Sequence, residues 1–167
     1  MNIVGLGNSG CQIAKSFKDY GQYQVFCVDV KDKDYPCFVP VKYQKSHEEY
    51  EKNYKQLNLK KCKGETTVIL CGAGNISGCS LRLLEQIKDN PLTVIYIKPD
   101  AGQLMHDQAL KDRATFGILQ HYARSALFEN LYIISNRMVE ETMGEVSIKT
   151  YWEDINSIIS SAYHMIN

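Results

Sequence analysis

Short apolar runs alternate with helix-like segments along almost the whole sequence. The runs have the composition of buried strands, and the segments between them carry apolar residues at helical spacing. This alternation predicts an α/β fold: a Rossmann-like, doubly wound, mainly parallel sheet with helices on both faces. No repeat, linker or low-complexity tract interrupts it, so a single domain over residues 1–167 is expected. The predicted strands are 2–5, 23–30, 66–72, 92–98 and 130–135, with a short extended piece at 36–40, and the predicted helices are 10–20, 46–61, 78–89, 107–127 and 147–166.

Charge and hydropathy exclude several classes of protein. Lys+Arg and Asp+Glu both number 19, so the net charge is zero, and a general nucleic-acid binder would show a basic excess. No apolar stretch approaches the ~20 residues of a membrane span. The first residues lack the basic segment of a signal peptide. We therefore expect a cytoplasmic protein in a reducing compartment, neither secreted nor bound to membranes or nucleic acid.

The sequence contains six cysteines, none of them spaced as CxxC or CxxxC. This spacing argues against a zinc site, so no metal ligand is assigned. Reduced structural thiols are the expected state. Cys11 and Cys79 follow glycine-rich turns near predicted helix starts, where a thiolate would be favoured, so a reactive thiol is the alternative.

The first glycine-rich turn, residues 5–10 (GLGNSG), fits the pattern GxGxxG between a strand and a helix. Glycines let the backbone approach a phosphate, and the N–H groups at a helix start face it. Asp29 ends the next predicted strand about 20 residues later, where a dinucleotide-binding fold places its ribose-binding acid. The turn therefore predicts nucleotide binding, and a turn that binds nothing remains the alternative.

A second glycine-rich turn, residues 72–78 (GAGNISG), follows the 66–72 strand and opens the next helix. Turns on neighbouring parallel strands face each other at the carboxyl edge of the sheet, where ligands bind. Two such turns suggest a nucleoside triphosphate held from both sides. The alternative is a tight helix start with Ser77 or Ser80 as an ordinary cap.

Several segments together resemble the tubulin/FtsZ family. Residues 7–13 (GNSGCQI) look like the loop in which G-x-x-G-x-Q-I opens the first helix of tubulin, and residues 72–78 lie where the family has GGGTGSG. Residues 92–99 (LTVIYIKP) are similar to LTVGVVTRPF of FtsZ. Residues 130–138 (NLYIISNRM) resemble the FtsZ strand that ends in I-P-N-D-R-L. The resemblance follows the order of the chain from residue 2 to 166.

The resemblance also implies contacts to a base. In the family, the asparagine that matches Asn136 contacts the guanine or the ribose. Thr150-Tyr151 with Asn156 looks like the start of the central helix of tubulin, T-Y-G-D-L-N, where the tyrosine stacks on guanine and the asparagine reads its edge. Tyr151 and Asn156 are five positions apart where the family has four, so Asp154 or Trp152 is an alternative participant.

The family therefore implies a module that binds GTP or GDP, with Mg²⁺ accompanying the nucleotide, and that acts by self-association or within a larger assembly. In the family, hydrolysis is completed by an acidic loop after the central helix, and this sequence ends at Asn167. We therefore expect a weak GTPase at most and assign no catalytic residue. The last helix, with Ile158, Ile159 and Ile166, is the expected partner surface.

Two other functions remain open. A Rossmann-type domain binding NAD(H) or an adenine nucleotide explains GxGxxG and Asp29. A structural assembly protein that has kept the fold and lost the ligand is favoured by Ile76, a branched side chain in a phosphate-type loop. The expected nucleotide-binding residues are Gly5, Gly7, Asn8, Gly10, Cys11, Gln12, Gly72, Gly74, Asn75, Ser77, Gly78, Asn136, Tyr151 and Asn156.

Overall fold

A computed structural model describes residues 1–54, 56–144, 147 and 149–167. Within these residues, parallel strands form one six-stranded sheet in the order β3-β2-β1-β4-β5-β6. The direction of winding reverses between β1 and β4, which places a crevice at their carboxyl ends. The strands are β1 (Asn2–Leu6), β2 (Gln24–Asp29), β3 (Phe38–Pro40), β4 (Thr66–Cys71), β5 (Leu92–Lys98) and β6 (Asn130–Ser135).

Helices cover both faces of the sheet, and short 3₁₀ segments lie at Ser16–Asp19, Asn75–Cys79 and Ala101–Gln103. Among the described residues, none of the helices combines the length and the apolar character that crossing a bilayer requires. The helices are α1 (Gly7–Lys15), α2 (His47–Asn53), α3 (Ser80–Ile87), α4 (His106–Arg124), α5 (Asn136–Met143) and α6 (Tyr151–Ile166).

Alternation of side chains along each strand divides the core in two. On β1, Ile3 belongs to the cluster formed with α1, α5 and α6, and Val4 to the cluster formed with α2, α3 and α4. Both side chains are fully buried. Burial of an aliphatic side chain of this size contributes roughly 1.5–3 kcal/mol, so both faces drive folding. The predicted α/β, doubly wound, parallel architecture is confirmed.

The region after β2 differs from prediction in two places. Within the extended piece at 36–40, Phe38–Pro40 form an edge strand, β3, whose Pro40 lies opposite Asp29. The helix predicted over 46–61 is wrong beyond Asn53, where α2 ends. Leu57 and Leu59 are buried from non-helical chain, and the Leu57 N–H donates to Gln86 Oε1 at 2.7 Å. Tertiary packing on α3 thus replaces the helical hydrogen bonds there.

The C-terminal third holds a helix that the sequence pattern did not reveal. Residues 136–143 form α5, a helix that ends where Gly144 has a φ of 66°. The helix predicted over 147–166 begins at Tyr151, and residues 145, 146 and 148 lie outside the described residues. Only Val139 of α5 is buried, and the helix follows β6 directly, without a glycine or proline to mark its start.

Candidate functional site

Two adjoining cavities occupy the crevice at the carboxyl ends of β1 and β4. Cavity A has a volume of about 290 Å³ and lies toward β5 and β6. Cavity B has a volume of about 360 Å³ and lies toward β2. Asn8, Ser9 and Cys71 line both, so they form the boundary between the cavities. Cavity A is lined by Asn8, Ser9, Gln12, Ile13, Cys71, Ile97, Pro99, Asn136, Trp152, Ile155 and Asn156.

Cavity A combines amide groups with apolar surface. Its lining includes four amide side chains, from α1, the start of α5 and α6, and no carboxylate or cation among the described residues. An amide side chain can both donate and accept hydrogen bonds, as recognition of the edge of a flat heterocycle requires, and of the four only Asn8 has its oxygen bonded to a cation, Lys33, in the described part of the chain. Ile97, Ile155 and Trp152 supply surface for its faces. The four amides are those of Asn8, Gln12, Asn136 and Asn156.

On α6, Trp152 lines cavity A and Tyr151 does not. The Tyr151 hydroxyl donates to the Glu140 carboxylate on α5, and its ring meets the Trp152 indole edge-on at 5.0 Å between centroids. Burial, and then the bond to Glu140, raise the pKa of Tyr151 to about 12. Trp152 and Asn156 are four positions apart and share a helix face. This geometry favours Trp152 over Tyr151 as the aromatic residue that faces cavity A, the alternative that the spacing of α6 suggested.

Cavity B is formed where two helical segments begin. Gly7 opens α1 and Gly74 precedes the 3₁₀ segment Asn75–Cys79, and neither start is capped by a side chain of the described residues. Uncapped N–H groups at helix starts favour an anion. Gly7 has a φ of 69°, a left-handed conformation that favours glycine. Cavity B thus offers backbone donors on two sides.

Asp29 contributes the one carboxylate that lines either cavity in the described part of the chain. It ends β2 and is 8% exposed. Its Oδ1 accepts from the Val30 N–H at 2.8 Å, and its Oδ2 accepts from the Tyr35 hydroxyl at 3.4 Å. These bonds fix the carboxylate at the wall of cavity B. No cluster of three or more potential metal ligands is found among the described residues.

Ile76 separates the two glycine-rich turns. A Cβ built on Gly7 would lie 2.6 Å from Ile76 Cγ2, so this methyl group covers Gly7. Ile76 also lines cavity B. The branched side chain that distinguishes this turn from the GGGTGSG loop of the tubulin/FtsZ family therefore lies directly between the two sets of backbone donors.

Four of the expected site glycines lie outside both cavities and serve packing. A Cβ on Gly10 would lie 2.3 Å from the Ile69 carbonyl oxygen, and one on Gly5 would lie 2.5 Å from the Gly10 carbonyl oxygen. These two glycines let α1 approach β1 and β4 closely, as the third glycine of the dinucleotide motif does. The space that a Cβ on Gly72 would need is occupied by the Tyr96 hydroxyl, and the space beside Gly78 is occupied by the His47 carbonyl oxygen.

Three expected polar site residues are turned away from the cavities. The Cys11 thiol is buried beside the Gly5 and Val28 carbonyl oxygens, at 3.3 and 3.5 Å. The Asn75 amide donates to the Lys45 carbonyl at 3.0 Å. The Ser77 hydroxyl lies 2.8 Å from the Gly72 carbonyl oxygen and 2.7 Å from that of Gly74, closing the second turn on itself.

The structure does not support reactive thiolates at the helix starts, which were the alternative to reduced structural thiols. Cys11 and Cys79 are both fully buried. Burial raises the pKa of the Cys11 thiol well above its usual range and that of Cys79 to about 12. Loss of hydration thus outweighs the helix dipole, and both groups remain neutral thiols.

The apolar lining of cavity A was missed from sequence. Ile97, Pro99 and Ile155 are absent from the expected site residues, and the structure brings them together in the wall of cavity A. One available signal was that Ile97 and Pro99 lie at the carboxyl end of β5, the edge at which ligands bind in open α/β sheets.

No protein-family model matches the chain, and no curated protein matches it in sequence. Among solved structures, it is similar to an empty FtsZ dimer from M. jannaschii, with a TM-score of 0.66 and 12% identity over 97% of this chain and 52% of that one. It is also similar to a C-terminal deletion mutant of the aldohexose dehydrogenase of Thermoplasma acidophilum, with a TM-score of 0.53 and 12% identity over 98% and 79%.

These likenesses establish the class of fold. The chain has a Rossmann-like α/β fold similar to that of FtsZ, which confirms the resemblance at the level of architecture. It spans about half the length of the FtsZ chain it matches.

Proposed function

We propose that the chain binds a guanine nucleotide, with the base in cavity A and the phosphates in cavity B. The observation that carries this proposal is the set of four amides around cavity A. Asn8 and Ser9 connect that cavity to the uncapped helix starts of cavity B. A ligand with a polar flat ring at one end and an anion at the other fits this order of groups.

The amides suit guanine in particular. Guanine presents a carbonyl acceptor beside N–H donors on one edge, and an amide side chain can donate to the first and accept from the second. Asn136 and Asn156 are the residues that the tubulin/FtsZ resemblance assigns to the base, and both line cavity A. Trp152 supplies an aromatic surface for the ring.

Mg²⁺ fits the phosphate end of the site. Mg²⁺ is usually held by one or two carboxylates together with phosphate oxygens and water. Asp29 is the carboxylate that lines cavity B, and without a cation it would repel the phosphates. We therefore expect Mg²⁺ to strengthen binding of the longer phosphate chains.

The same residues argue against efficient turnover. Hydrolysis needs a group that orients or deprotonates water. Among the described residues, Asp29 is the only carboxylate lining either cavity, and the proposal assigns it to Mg²⁺. We infer a binding module that acts by self-association or within a larger assembly. The FtsZ chain of similar fold, described as a dimer, supports this part of the proposal.

Asp29 also favours a second candidate, an NAD(H)- or adenine-nucleotide-binding domain. The residue ends β2 and borders the first glycine-rich turn, where an acid binds the ribose hydroxyls in dinucleotide-binding folds. The fold shared with aldohexose dehydrogenase is compatible with this candidate. It leaves the amides of α5 and α6 without a particular role.

Ile76 favours the third candidate, a structural protein that has lost its ligand, since its methyl group covers Gly7. Ile76→Ala tests how far this side chain limits access to the backbone donors. If the Ile76 side chain blocks access to these donors, the Ile76→Ala variant binds nucleotide more tightly than the wild type.

Calorimetric titration with GTP, GDP, ATP and NAD, in the presence of Mg²⁺, separates the candidates. We expect binding of guanine nucleotides only, lost in Asn136→Ala and kept in Asn130→Ala, a control at an exposed position on β6. Binding of NAD that is lost in Asp29→Ala would support the dinucleotide candidate instead. No heat with any ligand, for the wild type and for Ile76→Ala, would leave the structural candidate.

A further inference from the structure

The loop between β2 and β3 brings a cation to the boundary of the two cavities. The Lys33 ammonium group donates a hydrogen bond to Asn8 Oδ1 at 2.6 Å. Asn8 lines both cavities, so Lys33 is linked directly to the site although it lies 25 residues further along the chain. The proposed function did not use this residue.

Several bonds fix the position of this loop. Lys15 on α1 donates to the Lys33 carbonyl oxygen at 3.0 Å. The Asp32 carboxylate accepts from the Tyr35 N–H at 3.0 Å, and the buried Tyr35 ring carries the hydroxyl that bonds Asp29. The loop is thus tied to α1 on one side and to the carboxylate of cavity B on the other.

The bond from Lys33 also determines how Asn8 is oriented. An ammonium group only donates, so the Asn8 carbonyl must face it. The Asn8 Nδ2 group, which only donates, therefore remains for a ligand. A phosphate oxygen accepts from both kinds of group, so Asn8 and Lys33 form a matched pair of donors.

The cavities are lined by one negative charge and no positive charge among the described residues, so a phosphate needs a cation nearby. In the described part of the chain no lysine or arginine lines cavity A or cavity B, and Asp29 adds a negative charge. A nucleotide brings up to four more negative charges, so a cation at the boundary is strongly favoured. Lys33 belongs to the loop that follows β2, and the end of β2 borders cavity B, the cavity that the proposed function assigns to the phosphates.

We infer that Lys33 binds the terminal phosphates of the nucleotide and makes the site select nucleoside di- and triphosphates over nucleosides and monophosphates. This inference rests on the proposed function. It predicts a contribution that grows with the length of the phosphate chain, because only the longer ligands reach the ammonium group.

The test compares Lys33→Ala with Lys31→Ala, an exposed lysine in the same loop. Calorimetry with guanosine, GMP, GDP and GTP in Mg²⁺ buffer gives the affinities. We expect Lys33→Ala to weaken GDP and GTP by about tenfold, as loss of a charged hydrogen bond does, and guanosine by less than twofold. Lys33→Gln, which keeps a donor without the charge, should lose most of the preference, and Lys33→Arg should retain it.

The outcomes separate the two proposals. Wild-type binding of guanosine and GTP that Lys33→Ala leaves unchanged would overturn the inference and leave guanine binding intact. Equal weakening of all four ligands would also overturn it, because Lys33 would then act only by orienting Asn8. A wild-type protein that binds none of the four would contradict the proposed function and the inference together.

Discussion

At the scale of single residues, the glycines of the two turns have separate tasks. Gly7 and Gly74 face cavity B, and Gly10 lets the first turn of α1 rest on β4. A side chain at Gly7 would meet the Ile76 methyl group and would have to adopt a φ of 69°, whereas one at Gly10 would meet the backbone of β4. The role of Gly7 and Gly74 is tested by measuring ligand binding, and the role of Gly10 by measuring the free energy of unfolding.

Gly10→Ala should destabilise the protein by at least about 2 kcal/mol, because its Cβ would lie 2.3 Å from the Ile69 carbonyl oxygen. Gly117→Ala is the matched control. Gly117 lies within α4 with nothing within 4 Å of an added Cβ, so this change should stabilise the protein by about 0.5–1 kcal/mol. Urea unfolding measures both, and equal effects of the two variants would contradict this view of Gly10.

The sequence predicted which segments meet at the site more reliably than which side chains face it. Asn8, Gln12, Asn136 and Asn156 all line cavity A, as the motifs suggested. Ser77 belongs to the same motifs and instead closes its own turn. A motif places a residue at the carboxyl edge of a strand, but the direction of its side chain depends on neighbours that are distant in sequence.

At the scale of elements, a buried hydrogen-bond chain joins α2 and α4 to the second glycine-rich turn. The Ser77 hydroxyl donates its one proton to a carbonyl oxygen of its own turn, so it accepts from the Thr115 hydroxyl at 3.1 Å. The Thr115 hydroxyl in turn accepts from His47 Nε2 at 3.3 Å. Burial lowers the pKa of His47, although Glu48 and Glu51 act against it and Lys111 with it. The neutral Nε2–H form of His47 therefore belongs to the folded state.

The position of His47 predicts a pH dependence of stability. Its pKa is below 6.5 in the folded state, so the unfolded chain binds the proton more readily. The stability that comes from the neutral ring is complete above pH 6.5. It falls as the pH drops through 6.5 toward the folded-state pKa, by at most about 1.4 kcal/mol per pH unit.

Urea unfolding of His47→Gln between pH 5 and 8 measures this contribution. The variant should show a flatter profile than the wild type, and His121→Gln, at an exposed position on α4, should keep the wild-type slope. An unchanged slope in His47→Gln would contradict the proposed role of the ring.

Predictions of elements succeeded where apolar runs were continuous and failed where burial came from isolated residues. The strands β4 and β5 were evident because nearly all their residues are buried. The end of α2 was not, because Leu57 and Leu59 enter the core from non-helical chain. Isolated apolar residues in a polar segment therefore indicated burial there and not helix.

At the scale of the whole molecule, apolar side chains remain exposed on α6. Ile158 and Ile166 are 38% and 62% exposed, as expected for a partner surface, whereas Ile159 is 1% exposed and belongs to the core. The expectation for Ile159 is therefore wrong, since it packs in the cluster beneath α1 and α6. The two exposed isoleucines are candidates for contact with a second copy of the chain.

Self-association through this face is testable by sedimentation. At micromolar concentration the wild type should show a sedimentation coefficient that rises with concentration, and Ile158→Glu/Ile166→Glu should sediment as a monomer. Leu110→Glu, at a 50% exposed position on α4, is the control and should behave as the wild type. A wild type that remains monodisperse and monomeric would contradict self-association.

The most direct measurement of the central claim uses the fluorescence of Trp152, the only tryptophan in the sequence and a wall of cavity A. If guanine binds there, GDP should change the indole emission saturably, ADP should not, and Asn136→Ala should abolish the response. Binding of GDP seen by calorimetry without any change in Trp152 emission would place the base elsewhere. An equal response to ADP and GDP would contradict recognition of guanine by the amides.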